Sequence, residues 1–153
     1  MKINYVVIPM AVIAVSILGS VFSGSGDMLW YNTLTKPDLT PASWAFPLAW
    51  TIIFFLSAVS ALLAYNKSLG SLRVAIVSLF LVNGILNVLW SLLFFKLHLI
   101  EPALIEMVLL EASVIMLMFV LLRVSKTAVW LLAPYAVWVA FATYLTFEIM
   151  RLN

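Results

Sequence analysis

The stretch Val74–Phe95, VAIVSLFLVNGILNVLWSLLFF, runs for 22 residues without a charged side chain. Crossing the hydrocarbon layer of a bilayer takes about 20 mainly apolar residues. Backbone groups in lipid must bond within their own segment, so a run of this kind crosses as a helix. Working outward, four further runs have the same character: Tyr5–Phe22, Trp44–Tyr65, Pro102–Leu122 and Thr127–Phe147. No segment alternates apolar and polar residues at period two, which excludes a membrane barrel. The fold class expected is an all-α membrane protein, a bundle of five transmembrane helices over about 5–22, 44–65, 74–95, 102–122 and 127–150. It forms a single domain, 1–153, with a long structured loop between the first two helices.

Composition agrees. The chain is 66% hydrophobic and 9% charged, against roughly 45–50% apolar residues in ordinary soluble domains. A net charge of +2 without a basic cluster points away from nucleic acid. With no cysteine, disulfides, thiolate metal sites and cysteine nucleophiles are all excluded. Lys2 precedes the first apolar run, as in a secretory signal, but that run is long enough to span, whereas signal cores cover about 7–15 residues; it is read as a helix. Short-loop lysines and arginines set orientation. Lys2, Lys67, Arg73, Arg123 and Lys126 fall on the amino-terminal side, against Lys36, Lys96 and Arg151 on the other, which favours a cytoplasmic amino terminus.

Polar residues inside the spans carry the functional information. Asn83, Asn87 and Trp90 recur at i, i+4 and i+7, sharing one helical face. Buried asparagine needs a partner, so the stripe reads either as interhelical glue or as a ligand-contacting face. Trp50, Phe54 and Ser57 share a face of the second span; Tyr135, Trp138, Ala142 and Leu145 lie near one face of the fifth, where large rings beside alanine make tight packing or a flat slot. Glu106 lies about one turn in from Pro102, within reach of the interface. Glu111, near mid-span, is a neutral structural carboxyl, a paired group or part of a proton path. His98 is expected solvated in a short loop. No metal-binding motif, Gly-rich phosphate loop or Gly-x-Ser-x-Gly is present, so nothing specifies a hydrolase, kinase or metalloenzyme, and no metal or required cofactor is expected.

Three patterns in order along the chain resemble the TspO/MBR family, the tryptophan-rich sensory and translocator proteins also called peripheral-type benzodiazepine receptors. They are Trp30-Tyr31, Leu34, Lys36-Pro37 and Pro41 in the first loop; Asn87, Trp90 and Phe94-Phe95 in the third span; and Pro134-Tyr135, Trp138, Ala140-Phe141 and Thr143 in the fifth. The resemblance implies a five-helix bundle, commonly a homodimer, with a pocket under the first loop for protoporphyrin IX, haem-like and other tetrapyrroles or flat hydrophobic ligands. Carried over residue by residue, the ligand-binding candidates are Tyr31, Trp50, Phe54, Asn83, Asn87, Trp90, Trp138, Ala142 and Leu145. The implied role is a membrane receptor or sensor in porphyrin homeostasis, transport or stress signalling, with porphyrin as ligand. Trp50 and Trp138 match tryptophans linked to light-dependent porphyrin breakdown and are the catalytic candidates if that activity exists; a small proton-coupled exporter centred on Glu111 is the third reading.

The chain also departs from the family pattern. Asp38-Leu39 stands where Ser-Trp is common, which removes an aromatic from the loop, and Phe54 replaces a frequent tyrosine. The carboxyl-terminal sterol motif needs a tyrosine within five residues of Lys or Arg. Phe147 holds that place before Arg151, so the sterol part of the resemblance is not carried over.

Overall fold

A computed structural model describes residues 3–153, apart from the side chains of 25–27, so what was expected of Lys2 lies outside the described residues. The described chain is helical: α1 (Asn4–Phe22), α2 (Ser25–Thr33), α3 (Ala45–Lys67), α4 (Gly70–Ser91), which continues as a π-helical turn (Leu92–Lys96), α5 (Ile100–Leu121) and α6 (Lys126–Leu152). All but α2 are long and apolar enough to cross a membrane, the third span being α4 together with its π turn. The protein is a multi-pass integral membrane protein.

Contacts between neighbours close a ring, with α1 against α3, α3 against α6, α6 against α5, α5 against α4, and α4 back against α1. Packing is uneven around it. On α5 the positions Ala103, Met107, Leu110, Val114, Leu117 and Leu121 are fully buried, a spacing of three and four that keeps one stripe against its neighbours. Leu132 and Val139 of α6 are equally buried. On α1 only Asn4 and Gly19 are buried. The core therefore lies among α4, α5 and α6, and the side formed by α1 and α3 is looser.

The third span starts at Gly70, four residues before Val74. Ser68 and Leu69 are extended, and Gly70 at φ +54 makes the reversal that glycine adopts without a Cβ penalty. The Arg73 guanidinium then donates to the Ser68 carbonyl and stacks on Tyr65, tying the corner. The connection after α1 also differs from the single long loop expected: Ser25–Thr33 is helix, and only the following stretch to Trp44 is irregular. Helix ends there because Lys36-Pro37 disfavours the α conformation before proline, and turns at Pro37–Thr40 and Ala42–Ala45 lead into α3.

The polar stripe on α4 has partners across the bundle. Asn87 Nδ2 donates to the Tyr135 hydroxyl at 3.1 Å, that hydroxyl donates to Asn83 Oδ1 at 3.1 Å, and Asn83 Nδ2 donates to Ser113 Oγ at 2.8 Å. The Ser113 hydroxyl in turn donates to the Leu110 carbonyl at 2.7 Å. Ser60 of α3 donates to the Ala128 carbonyl of α6 at 2.8 Å, joining those two helices. Glu106 does not reach the interface: it falls on the buried stripe of α5, 3% exposed, and neither carboxyl oxygen has a hydrogen-bond partner. Ser57 and Ala61, small residues that permit close helix approach, are buried inside this chain.

Tyr135→Phe would leave both asparagines short of a partner. Hydrogen bonds inside membrane bundles are worth about 1 kcal/mol each, so this variant should unfold at a lower temperature in lipid nanodiscs while keeping its helix content by circular dichroism. An unchanged midpoint would show that the network does not hold the bundle.

Candidate functional site

On the loose side of the ring a cavity of about 400 Å³ opens between α1, α3, α4 and α6, beneath α2. This is within the range of about 300–1,000 Å³ typical of small-molecule pockets. Its back wall is aromatic. Trp50 stacks on Phe54 at 5.6 Å and stands 6.2 Å from Trp90, which stacks in turn on Phe94 at 5.7 Å. Trp138 also lines the cavity, edge-on to Phe46 at 5.8 Å. Ring pairs at such spacings support one another, so Trp50, Trp90 and Phe94 form a wall before any ligand arrives, while Phe54 is shared with the neighbouring cleft.

Tyr31, Trp50, Phe54, Asn87, Trp90, Trp138, Ala142 and Leu145 all line this cavity. Asn83 does not. It is spent on the Tyr135 and Ser113 bonds and faces an adjoining cleft. Ala142 leaves the flat floor that a larger side chain would fill. Neither Glu106 nor Glu111 lines the cavity.

The hydroxyls of the lining went unread in the sequence. Ser16, Ser20 and Ser23 of α1, together with Thr51, Ser91 and Thr146, add hydroxyls. The serine spacing of i, i+4, i+7 on α1 was the signal that could have found them. Most of these hydroxyls already donate to their own helix: Ser20 to the Ser16 carbonyl at 2.8 Å, Ser23 to Gly19 at 3.1 Å, Thr51 to Pro47 at 2.8 Å and Thr146 to Ala142 at 2.9 Å. Their oxygens are left to accept. On the aromatic side, the indole N–H groups of Trp90 and Trp138 have no partner within the chain. The cavity lining thus combines aromatic rings with hydroxyl acceptors. Among the described residues no three His, Asp or Glu side chains come close enough to hold a metal ion.

The roof is α2, held by the π turn. A π-helical segment carries one residue more per turn than an α-helix and is a frequent mark of functional sites. Here it places Phe94 and Phe95 side by side at 5.0 Å, so that Tyr31 meets both, at 6.1 Å and 5.9 Å. Trp30 meets Phe94 edge-on at 5.5 Å and lies flat on His98 at 4.0 Å. His98 is therefore not simply solvated; its φ of +56, uncommon for a residue with a Cβ, turns the chain so that its ring meets Trp30. Burial pushes the Tyr31 phenol up from its ordinary value, so it remains a proton donor at neutral pH. The Lys36 ammonium lies 4.7 Å from the Tyr31 ring centre and bonds the Leu34 carbonyl at 3.1 Å. Beyond it, the Asn153 side chain exchanges two hydrogen bonds with the Thr35 backbone, at 2.9 and 3.0 Å, fastening the loop to the end of α6.

Trp30→Ala should free α2 from the π turn. An aromatic stack is worth about 0.5–1.5 kcal/mol beyond its buried area, so amide exchange over Met28–Thr33 should quicken roughly tenfold while α5 and α6 are unaffected. Equal exchange in both proteins would show that the stack does not hold the roof.

Comparison with known proteins places this architecture. The TspO/MBR family profile matches residues 6–152. The chain is 38% identical to the tryptophan-rich protein TspO of Chlorobaculum tepidum over 143 residues, covering 92% of this chain and 90% of that protein. It is 34% identical to the TspO of Archaeoglobus fulgidus, with 94% and 93% covered. It is 29% identical to the human translocator protein, with 89% and 82% covered.

Proposed function

The chain belongs to the TspO/MBR family, and on that premise we propose that it is a membrane receptor whose cavity beneath α2 binds a tetrapyrrole such as protoporphyrin IX, or another flat hydrophobic molecule. The observation that carries this reading is the aromatic group of Trp50, Trp90 and Phe94, which with Trp138 lines a cavity of about 400 Å³. A flat macrocycle gains from stacking on such rings, and a few fixed polar groups orient it. Hydroxyls of the lining supply acceptors for a ring edge, and the Lys36 ammonium, set against the Tyr31 ring that lines the cavity, is available for a carboxylate. The role is in porphyrin homeostasis, transport or stress signalling, with the protein acting as a homodimer in the bilayer, its amino terminus cytoplasmic. No cofactor is required beyond the ligand.

Light-driven porphyrin breakdown is a second reading, favoured by Trp50 and Trp138 both lining the cavity. The excited porphyrin would supply the reactivity and an indole the electron or hydrogen atom, with no acid–base pair needed. The exporter reading has less support, because Glu111 lies outside the cavity lining.

Protoporphyrin IX titrated into nanodisc-held protein in the dark should quench tryptophan fluorescence saturably. Trp50→Ala removes one stacking face, and base–aromatic stacks of comparable area are worth about 1–3 kcal/mol, so affinity should fall roughly tenfold or more. Absence of saturable quenching in the unmodified protein would defeat the binding reading. Under illumination, a new absorbing product lost in Trp138→Phe would establish breakdown; an unchanged porphyrin spectrum would leave binding alone.

A further inference from the structure

A second, larger space of about 690 Å³ lies between α1, α3 and α4, lined almost entirely by apolar side chains such as Val12, Val15, Ala61 and Phe80. Phe54 and Asn87 line both this cleft and the main cavity, so the two spaces meet at one aromatic ring and one amide. On the cleft wall Ser57, 8% exposed, holds a hydroxyl with no partner, whereas other hydroxyls within spans, such as Thr143 and Thr146, bond back to their own helix. The cleft therefore has a polar point beside the partition.

The helix that covers it is the one least held. Among the described residues, α1 makes side-chain hydrogen bonds to another helix only near its start, where Asn4 donates to Asn66 at 2.9 Å and Asn66 donates to the Tyr5 hydroxyl at 3.1 Å. Beyond them it rests on close approach alone: a Cβ on Gly84 would stand 3.0 Å from Val15 Cγ2, and one on Gly19 would stand 3.5 Å from Ser91 Oγ. A helix tied at its start by hydrogen bonds and at its end through α2, but merely touching its neighbours in between, can bow outward along its middle. The watery face, by contrast, is closed by the Trp30–His98 stack and the Asn153–Thr35 bonds.

We propose that the cleft between α1, α3 and α4 is the entrance to the cavity for a ligand already dissolved in the bilayer, with the Phe54 ring as the movable partition. This rests on the reading that the cavity binds a flat hydrophobic molecule. Such a molecule concentrates in lipid, and lipid tails are as apolar as the cleft wall, so passage beneath α1 exposes it to no water. Ser57 and Asn87 then meet its polar edge at the point where Phe54 turns aside.

The chain has no cysteine of its own, so one engineered pair tests the route. Val15→Cys with Gly84→Cys puts two sulfurs within bonding reach, and the same change removes the valine methyl that the new Cβ would crowd. Protoporphyrin IX is loaded into vesicles and its transfer to the reconstituted protein followed by tryptophan quenching. The oxidised pair should associate roughly tenfold more slowly than the same protein reduced, a barrier increase of about 1.4 kcal/mol, with the final extent of quenching unchanged. Val12→Trp, which fills the cleft without touching the cavity lining, should slow association in the same way. Equal rates in oxidised and reduced protein, with Asn153→Ala accelerating entry, would place the entrance under α2 and overturn the proposal. Absence of quenching in the unmodified protein would instead defeat the binding reading on which it rests.

Discussion

The Tyr135 hydroxyl between Asn83 and Asn87 is the interaction on which the rest of the bundle depends. Lipid gives helices no hydrophobic reason to associate, so packing and hydrogen bonds between them must do it. One phenol ties α4 to α6, and through Asn83 and Ser113 the tie extends to α5. With register fixed at that point, the apolar stripe of α5 seats fully against its neighbours, and Leu132 and Val139 of α6 close on it.

That rigidity on one side permits looseness on the other. Trp50 packs edge-on to Tyr135 at 6.1 Å, and Trp90 follows Asn87 by three residues on the same face, so the aromatic wall is mounted on the hydrogen-bonded frame. Helix α1, with two buried residues, supplies only the far wall. A cavity bounded by one stiff and one yielding surface combines pre-organised recognition with a way in, which a ring of five equally packed helices would lack.

The spans were legible because hydrocarbon imposes a length and an apolar composition that few other sequences satisfy; shared helical faces grouped residues on three spans, while their reading as a pocket, and Tyr31 altogether, rested on the family resemblance. Asn83 shares a helical face with Asn87 and Trp90 yet lies outside the cavity lining; both amides bond the Tyr135 hydroxyl, but Asn83 also bonds Ser113 of α5 and lines only the adjoining cleft, which a shared face in the sequence cannot show. Glu106 was misplaced because distance from Pro102 gives depth along the helix but not the direction the side chain points. The α1 serines were overlooked because hydroxyls bonded to their own backbone look neutral in a sequence, although their spacing was visible. The π turn had no signature at all: Leu92–Lys96 is apolar up to its final lysine, and the extra residue per turn shows only in the backbone.

The loop's departure from the family pattern leaves the roof intact. Leu39, standing where an aromatic is common, is 64% exposed and does not line the cavity. The roof rings come instead from Trp30 and Tyr31 on α2, seated against Phe94 and Phe95. An α-helical continuation would set successive side chains about 100° apart, whereas the π turn advances them by less and keeps Phe94 and Phe95 on the side facing Tyr31. The aromatic enclosure of the cavity is thus supplied by the end of α4, and substitution at position 39 alters the outer surface of the loop while the walls that would meet a ligand stay intact.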